Sequence, residues 1–369
     1  MLKVHRFRLK VLSPLHIGGR FQSIFPFEYI IDGDRLIVVR EDKLGKFLEQ
    51  KGVLSDFIRG FEQPGFSLTQ YLKNKNLLTP QLLKEVALYS CKLEGTSPIG
   101  KSIRPFTRDA FQRPYVPGTA IKGAMRTALW YYKVKSDPAT WESKVREAVR
   151  KKGIAKIVDD ELDKEIFQNY RLNDKNNSPY TDILRVIKVS DSKPWERDSL
   201  WIGEELTFAD GNIRKDLSVF LEYQKEAVET QIEIVFDEEL FERFKKAGKV
   251  LFDSFEDFLV KVDGFYREVA RMEQKQVGGG GKGYYEWLLN KTEGRGYLMR
   301  IGWGGGLPSL TIWLALSNDL REEIRIKFFK RSHKGKFPMT RRALRRREKD
   351  KVIVTPFGWV LLEKEVNDE

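Results

Sequence analysis

The chain has 369 residues, of which 41% are hydrophobic and 12% aromatic, enough for a sizeable core in one elaborated domain or two. No stretch approaches the roughly 18 uncharged apolar residues of a membrane span, and Met1 leads directly into a charged segment, which predicts a soluble, cytoplasmic protein. With Cys91 as the single cysteine and three histidines, the sequence excludes a disulfide framework and offers no metal-ligand spacing, so we expect neither a metal nor a cofactor.

The positive charge is concentrated in two stretches. The net charge of +13 suits a polyanionic partner, although an ion-pair mesh of a thermophilic protein also uses many charges. Arg325 to Lys351 holds thirteen basic and two acidic residues, a net +11, and Lys101 to Arg126 holds six basic residues and one acid. A mesh would intersperse the signs, so this placement favours phosphate contacts.

The amino-terminal part mixes strands and helices. Alternation of Phe7, Leu9 and Val11 with charged residues predicts a first strand, and the turn at Gly33 predicts a hairpin between residues 29 and 39. Residues 42 to 91 look mainly helical, with a capping box at Ser67 and Gln70 and a helix start at Thr79 and Pro80. Two further helices are predicted between Trp141 and Tyr170.

The second half is richer in strands. Strands are predicted at residues 183–189, 200–208, 217–223, 231–236, 297–301, 324–329 and 352–362. A helical stretch covers Glu238 to Gln276, and the run Gly278 to Gly283 predicts a flexible surface loop. Too few βαβ units occur for a doubly wound sheet, so the pattern predicts an α+β fold with two domains, residues 1–185 and 186–369.

The strongest local motif is Arg113 to Leu129. After the turn at Pro117 and Gly118, apolar residues recur at helical spacing and predict a helix. Lys122 and Arg126 lie one turn apart on another face. Because the first amides of a helix are unpaired, Gly118 and Thr119 are predicted to hold a phosphate beside these cations; the alternative is an ordinary helix with solvated cations.

Two more segments fit a nucleic-acid partner. In Gly302 to Gly306 the glycines would let an RNA backbone approach, and Trp303 could stack on a base; the alternative is a tight turn with a packed tryptophan. The run Gly335 to Arg347 is dense in like charge and needs a neutralising partner, unless it is a disordered loop. His16, in a glycine-rich turn, is the one candidate general base of a metal-free ribonuclease, although such a histidine is more often a capped or packed turn residue.

These motifs together resemble a known family. Leu12 to Gly19, Pro114 to Arg126 and the late glycine-rich loop resemble the RAMP superfamily of CRISPR proteins. Within it, Val189 to Ser192, Phe337 to Arg342 and Thr355 to Val360 resemble the fifth subunit of the type III-A Csm complex. The resemblance implies two ferredoxin-like (RRM-like) RAMP domains with helical insertions.

The resemblance also implies a function. It is that of a non-catalytic RNA-binding subunit that caps the 3′ end of the guide RNA and supports its maturation and the assembly of the complex in antiviral defence. The implied partners are the guide RNA, other Csm subunits and host ribonucleases, with no membrane. Two alternatives are a metal-independent RAMP endoribonuclease that processes repeat RNA and a sister RAMP subunit of a related type III complex.

The residues predicted to contact RNA come from the turn near the amino terminus, the central motif, the late glycine loop and the basic run. They are His16, Gly18, Gly19, Arg20, Arg113, Gly118, Thr119, Lys122, Arg126, Gly302, Trp303, Gly304, Gly305, Gly306, Lys336, Arg341 and Arg342.

Overall fold

The computed structural model describes residues 1–18, 23–93, 95, 97–151, 154–172, 178–209, 212–276, 280–329, 340–348 and 351–365. Within these ranges the strands are β1 (Leu2–Val11), β2 (Tyr29–Asp32), β3 (Arg35–Val39), β4 (Ala87–Leu93), β5 (Ile103–Arg104), β6 (Ile187–Val189), β7 (Trp201–Ala209), β8 (Asn212–Tyr223), β9 (Glu229–Asp237), β10 (Tyr297–Arg300), β11 (Thr340–Glu348), β12 (Lys351–Pro356) and β13 (Trp359–Lys364). The helices are α1 (Glu41–Gln50), α2 (Leu54–Phe61), α3 (Leu68–Asn74), α4 (Pro80–Val86), α5 (Gly118–Ser136), α6 (Pro138–Lys151), α7 (Ile154–Phe167), α8 (Glu238–Ala247), α9 (Phe255–Gln276), α10 (Gly280–Thr292), α11 (Gly306–Leu310) and α12 (Asn318–Phe328). None of the helices in these ranges has the length and apolar character needed to cross a membrane.

One sheet has the order β10-β13-β1-β9-β6 across the described ranges. Its central strand β1 pairs antiparallel with both β9 and β13, so that Phe7 lies opposite Ile232 and Lys364. Phe7, Leu9 and Val11 are buried, which confirms the alternation read from the sequence.

The other face of β1 carries ion pairs. Arg6 Nε lies 3.2 Å from Glu233 Oε1, and Lys10 Nζ lies 2.8 Å from Glu363 Oε2. On this face, cations of β1 alternate with carboxylates of the neighbouring strands. The charges therefore neutralise each other here, and the surplus positive charge of the chain must lie elsewhere.

The second sheet has the order β12-β11-β7-β4-β3-β2 in the described part of the chain, with β8 paired to β7 and β5 paired to β8. The predicted hairpin is β2 and β3, and Gly33 takes the positive φ of +57° that its turn requires. β7 is the branch point of the sheet. It pairs antiparallel with β11 and β8, and its first residues pair in parallel with β4.

The helices cover two cores. In the larger core α5 packs against α9, and the rings of Tyr131 and Phe265 lie 5.0 Å apart. In the smaller core the hairpin of β2 and β3 is covered by α1 to α4, whose buried side chains include Leu44, Leu68 and Leu82. Strands backed by helices in this way confirm the predicted α+β class.

Several local predictions are also confirmed. The helix expected after Pro117 is α5, and the two helices expected between residues 141 and 170 are α6 and α7. Thr79 caps α4, since its side-chain oxygen accepts a hydrogen bond from the Leu82 amide at 3.2 Å.

Other local predictions are wrong. Ile324 to Phe329 is not a strand: most of it lies in α12, because Leu320 and Ile324 are four residues apart and both face the core. Gly280 to Gly283 opens α10 and is not a loop, whereas residues 277–279 lie outside the described residues. The Ser67 side chain makes no capping hydrogen bond at the start of α3.

The predicted strand over residues 352–362 is two strands, one in each sheet. β12 belongs to the sheet of β7 and β13 to the sheet of β1, and the chain changes sheet at Gly358, which has φ +87°. Both sheets take strands from each side of residue 185. The domain division at residues 185 and 186 therefore stays a prediction.

Candidate nucleic-acid interface

Two arginines lie against the ring of Trp303. The guanidinium carbon of Arg104 lies 4.3 Å from the ring centre, and that of Arg342 lies 4.6 Å from it. Both distances are within the range of a cation–π contact. Trp303 thus joins β5 and β11, strands that are far apart in sequence.

A buried carboxylate fixes this arrangement. Glu205 on β7 is fully buried, and its Oε2 accepts hydrogen bonds from Arg342 Nη1 at 3.1 Å and from Trp303 Nε1 at 3.4 Å. Thr207 Oγ1 donates to its Oε1 at 3.3 Å. These donors compensate the cost of burying the charge. We call Arg104, Glu205, Trp303 and Arg342 the Trp303–arginine cluster.

The cluster carries a surplus positive charge. Arg104 and Arg342 contribute two positive charges, and within the described ranges Glu205 is the one carboxylate within 4 Å of either guanidinium. The side chain of Arg342 is 42% exposed. Guanidinium groups that are held in place, partly exposed and not fully neutralised are suited to phosphate oxygens.

The glycine loop after β10 is shaped by the protein itself. The Trp303 amide donates to the His16 carbonyl at 2.8 Å, and Gly302 has φ +73°. A Cβ on Gly302 would lie 2.3 Å from the His16 oxygen. The space beside Gly302 is thus filled by the turn of His16, whereas the sequence suggested room for an RNA backbone; Gly305 is buried and Gly306 is exposed.

Hydrogen bonds of the buried Arg300 also hold the glycine loop that follows β10. Arg300 is 2% exposed and donates to the Phe357 carbonyl at 2.9 Å and to the Gly304 carbonyl at 3.1 Å. Glu273 on α9 lies 3.8 Å from Arg300 and accepts from Arg341 Nε at 2.5 Å. Arg341 is therefore tied to α9, and Arg342, the next residue, is turned to the other face of β11.

His16 is a packed residue beside the cluster. It is 1% exposed, and its Nδ1 lies 2.6 Å from the Glu222 carbonyl, to which it donates. Its ring meets Trp303 edge-on at 6.3 Å. Burial lowers the pKa of His16 to about 4, so the imidazole is neutral near pH 7.

The carboxylate of Glu222 binds several groups close to His16. It is fully buried, pairs with Arg108 at 3.3 Å and accepts from the Phe106 amide at 2.8 Å. The Sγ of Cys91 donates to it at 3.4 Å. Cys91 is buried in the core on β4, whereas the sequence predicted mainly helix for residues 42 to 91.

The predicted phosphate site at the start of α5 has protein partners. The Gly118 amide donates to Asp191 Oδ1 at 2.8 Å, and Lys122 Nζ donates to the Ile187 carbonyl at 2.7 Å. Burial lowers the pKa of Lys122. A Cβ on Gly118 would lie 2.3 Å from the Val189 carbonyl, so this glycine serves a close approach of two protein segments.

Arg126 is held by two carboxylates. It lies 2.5 Å from Asp163 and 2.9 Å from Asp182, and its guanidinium carbon lies 3.8 Å from the centre of the Phe167 ring. The structure therefore gives Arg126 an internal role. Its contact with RNA stays a prediction.

The remaining predicted residues are dispersed. Thr119 and Arg113 are exposed, and Arg113 pairs with Asp109 at 2.8 Å. Gly18 is exposed and bridges to Phe106 beside the Trp303–arginine cluster. Gly19, Arg20 and Lys336 lie outside the described residues.

Two members of the Trp303–arginine cluster could not be predicted from the sequence. Nothing in the sequence distinguished Arg104 from the other five basic residues between residues 101 and 126. Glu205 gave no signal, because nothing in a predicted strand distinguishes a buried acid that anchors an arginine from a solvated one.

The RAMP superfamily pattern matches residues 8–309, most of the chain. The chain belongs to the RAMP superfamily. This RAMP protein is 25% identical to the CRISPR system Cms protein Csm5 of Streptococcus thermophilus over 272 residues, which are 70% of this chain and 72% of that protein.

Solved structures agree with this assignment. A chain of the cryo-EM structure of the Csm-crRNA-target RNA ternary complex in a type III-A CRISPR-Cas system is similar with a TM-score of 0.73 and 25% identity, over 98% of this chain and all of that chain. The crystal structure of T. onnurineus Csm5 is similar in fold, with a TM-score of 0.66 and 24% identity, over 96% and 99% of the two chains. The resemblance read from the motifs is confirmed.

Proposed function

We propose that this RAMP protein is an RNA-binding subunit of a type III-A CRISPR effector complex that acts in antiviral defence. Its likeness to Csm5 and to a chain of the Csm-crRNA-target RNA complex supports the proposal. The observation that carries the RNA contact is the Trp303–arginine cluster. In this proposal the chain works in the cytoplasm, contacts the 3′ region of the guide RNA and other Csm subunits, and supports maturation of that end by host ribonucleases.

The chemistry of the cluster favours the RNA backbone over the bases. Each guanidinium offers a fork of donors that fits two phosphate oxygens, and the contact carries no sequence information. Because the ring of Trp303 already has Arg104 and Arg342 against it, we assign the tryptophan the role of orienting the cations. The expected result is binding of single-stranded RNA with modest sequence preference.

We also propose that the protein has no ribonuclease chemistry of its own. A general base must reach the proton it removes and must be basic near neutral pH. His16 is almost fully buried, is committed through Nδ1 to the Glu222 carbonyl and has a pKa lowered to about 4. Incubating the protein with repeat RNA in EDTA tests this: defined cleavage that His16→Ala abolishes would establish the endoribonuclease alternative instead.

The RNA contact is tested by salt titration. If about six phosphates are neutralised on single-stranded RNA, the logarithm of the association constant falls with log salt at a slope near −4. The double variant Arg104→Gln/Arg342→Gln removes two contacts, so we expect its slope to be less negative by about 1.4 and its affinity at 150 mM salt to be roughly tenfold lower. Fluorescence anisotropy with labelled guide RNA measures both quantities.

Arg345→Gln is the matched control. Arg345 lies on the same strand, has a comparable exposure of 35%, and pairs with Glu204 at 3.4 Å. Its loss is expected to change the slope by less than half as much. If the association constant of the wild type did not depend on salt, the proposed phosphate contacts would be wrong. Unchanged binding by the double variant would favour stacking of Trp303 on a base.

Membership of the complex has its own test. We expect the chain to co-purify with the other subunits of a type III-A complex and guide RNA, and not with those of the related Cmr-type complex. Co-purification with Cmr-type subunits alone would identify it as a sister RAMP subunit.

A further inference from the structure

The most exposed large hydrophobic side chain among the described residues is that of Phe111, which is 73% exposed. It lies in a turn over residues 108–114, the Phe111 turn, whose two arms are bridged between Arg108 and Pro114. The proposed RNA contact does not use this ring. A single exposed apolar side chain is common in proteins, but the backbone beneath this one is unusually well ordered.

Hydrogen bonds hold the Phe111 turn in one conformation. Asp109 Oδ1 accepts from the amides of Phe111 at 2.9 Å and Arg113 at 2.8 Å. The Gln112 amide donates to the Asp109 carbonyl at 3.0 Å, and Arg108 Nη1 donates to the Gln112 carbonyl at 2.8 Å. Gln112 has φ +62°, a conformation that residues other than glycine rarely adopt. The ring is thus presented by an ordered backbone, which loses little conformational entropy when a partner binds.

The charges of the Phe111 turn are balanced within the protein. The guanidinium carbon of Arg113 lies 5.2 Å from the centre of the Phe111 ring, and its Nη2 lies 2.8 Å from Asp109 Oδ2. Arg108, the other cation of the turn, lies 3.3 Å from the fully buried carboxylate of Glu222. Each cation of the turn therefore has a carboxylate partner, unlike those of the Trp303–arginine cluster.

The segment packed beside the turn is balanced as well. Arg197, whose carbonyl accepts from Arg108 Nη1 at 2.8 Å, lies 3.8 Å from Asp198, and the adjacent Glu196 is exposed. This environment does not favour a phosphate. An apolar ring bordered by a neutral ion pair instead matches a protein–protein interface, where aromatic residues and arginine are enriched.

We propose that Phe111 is an anchor through which this chain docks onto a neighbouring protein subunit of the effector complex. The ring enters an apolar pocket of that subunit, and the ion pair of Asp109 and Arg113 lies at the rim of the contact. The proposal rests on the proposed function, because the partner belongs to the same complex. It assigns RNA binding and subunit contact to different residues of the chain.

The test measures assembly with an effector complex that lacks this subunit. Labelled chain is titrated with the purified complex of the other subunits and guide RNA, and anisotropy gives the dissociation constant. Truncation of a buried aromatic anchor weakens an interface strongly, so we expect Phe111→Ala to bind roughly thirtyfold more weakly than the wild type. Tyr180→Ala is the matched control, because Tyr180 is 64% exposed and has the guanidinium carbon of Arg185 at 6.0 Å from its ring centre. We expect the control to bind within about twofold of the wild type.

A second measurement separates protein contact from RNA contact. The isolated Phe111→Ala variant should bind a 16-nucleotide oligouridine within about twofold of the wild type, because the ring contacts no RNA in this proposal. Assembly as tight as that of the wild type overturns the inference while leaving the proposed function intact. A loss of oligouridine affinity as large as the loss in assembly also overturns it, since the ring would then stack on a base. If the wild type itself does not join the complex, the proposed function fails as well.

Discussion

The guanidinium carbon of Arg104 lies 4.3 Å from the centre of the Trp303 ring, although the two residues belong to different parts of the chain. β5 pairs in parallel with β8, and this pairing brings Arg104 opposite Leu221. Trp303 packs against the apolar cluster to which Leu221 belongs. The contact therefore depends on the sheet and not on any local motif.

This relationship predicts different effects for two substitutions of Trp303. Trp303→Phe keeps an aromatic face for both guanidinium groups and loses only the Nε1 hydrogen bond to Glu205, so we expect RNA affinity to fall by less than about threefold. Trp303→Ala removes the face and releases both cations, and we expect a loss of about tenfold, or about 1.4 kcal/mol. Anisotropy with guide RNA at 150 mM salt measures both; equal losses would contradict the orienting role.

The sequence anticipated elements whose signals are local. The alternation of β1, the turn at Gly33 and the start of α5 each depend on residues that are neighbours in the chain. The family resemblance also came from contiguous motifs. The fold class followed from the order of these elements.

The sequence could not supply contacts that only the fold creates. The amide of Gly118 donates a hydrogen bond to Asp191, which is 73 residues away in the chain. Arg126 forms ion pairs with Asp163 and Asp182, which lie on segments that pack against α5. Composition placed six cations in this region, but pairing each cation with its acid requires the tertiary structure. For the same reason, the hydrogen bond from Arg342 to Glu205 could not be predicted from the sequence.

The ion pairs of Arg126 predict a structural role that can be separated from RNA binding. Arg126→Met keeps most of the contact with Phe167 but leaves the partly buried Asp163 and Asp182 without their cation. We expect the free energy of unfolding to fall by about 2 kcal/mol, less than the 3–5 kcal/mol of a fully buried pair. Urea unfolding at pH 7 measures the change.

Arg113→Met serves as the comparison for Arg126→Met. Arg113 forms an exposed pair with Asp109, so its loss should cost no more than about 0.5 kcal/mol. If Arg126→Met left stability unchanged but lowered RNA affinity tenfold, the phosphate site at the start of α5 would be correct and the structural role would be wrong.

The buried thiol of Cys91 should be inert in the folded protein. Burial raises its pKa well above the usual value, and the nearby carboxylate of Glu222 acts in the same direction. We expect alkylation by iodoacetamide at pH 8 to be at least about a hundredfold slower in the native protein than in urea. Intact-mass analysis over time measures the two rates; labelling of the folded protein at the rate of a free thiol would show that β4 opens readily.

The buried imidazole of His16 makes stability depend on pH in a defined window. Its pKa is about 4 in the folded protein, against 6.5 for the ordinary side chain, so between these values the unfolded chain binds more protons than the native one. The stabilisation is therefore fully present above pH 6.5 and is lost as the pH falls toward 4. A difference of 2.5 units corresponds to about 3 kcal/mol.

His16→Asn isolates this contribution from the titration of carboxylates. Its side-chain amide can replace Nδ1 as the donor to the Glu222 carbonyl but does not titrate. We expect the advantage of the wild type over His16→Asn in free energy of unfolding to shrink by roughly 2–3 kcal/mol between pH 7 and pH 4.5, as measured by urea unfolding at each pH. An advantage that stayed constant over this range would mean that His16 is accessible to protons in the folded state, and the argument against a catalytic role for it would lose its basis.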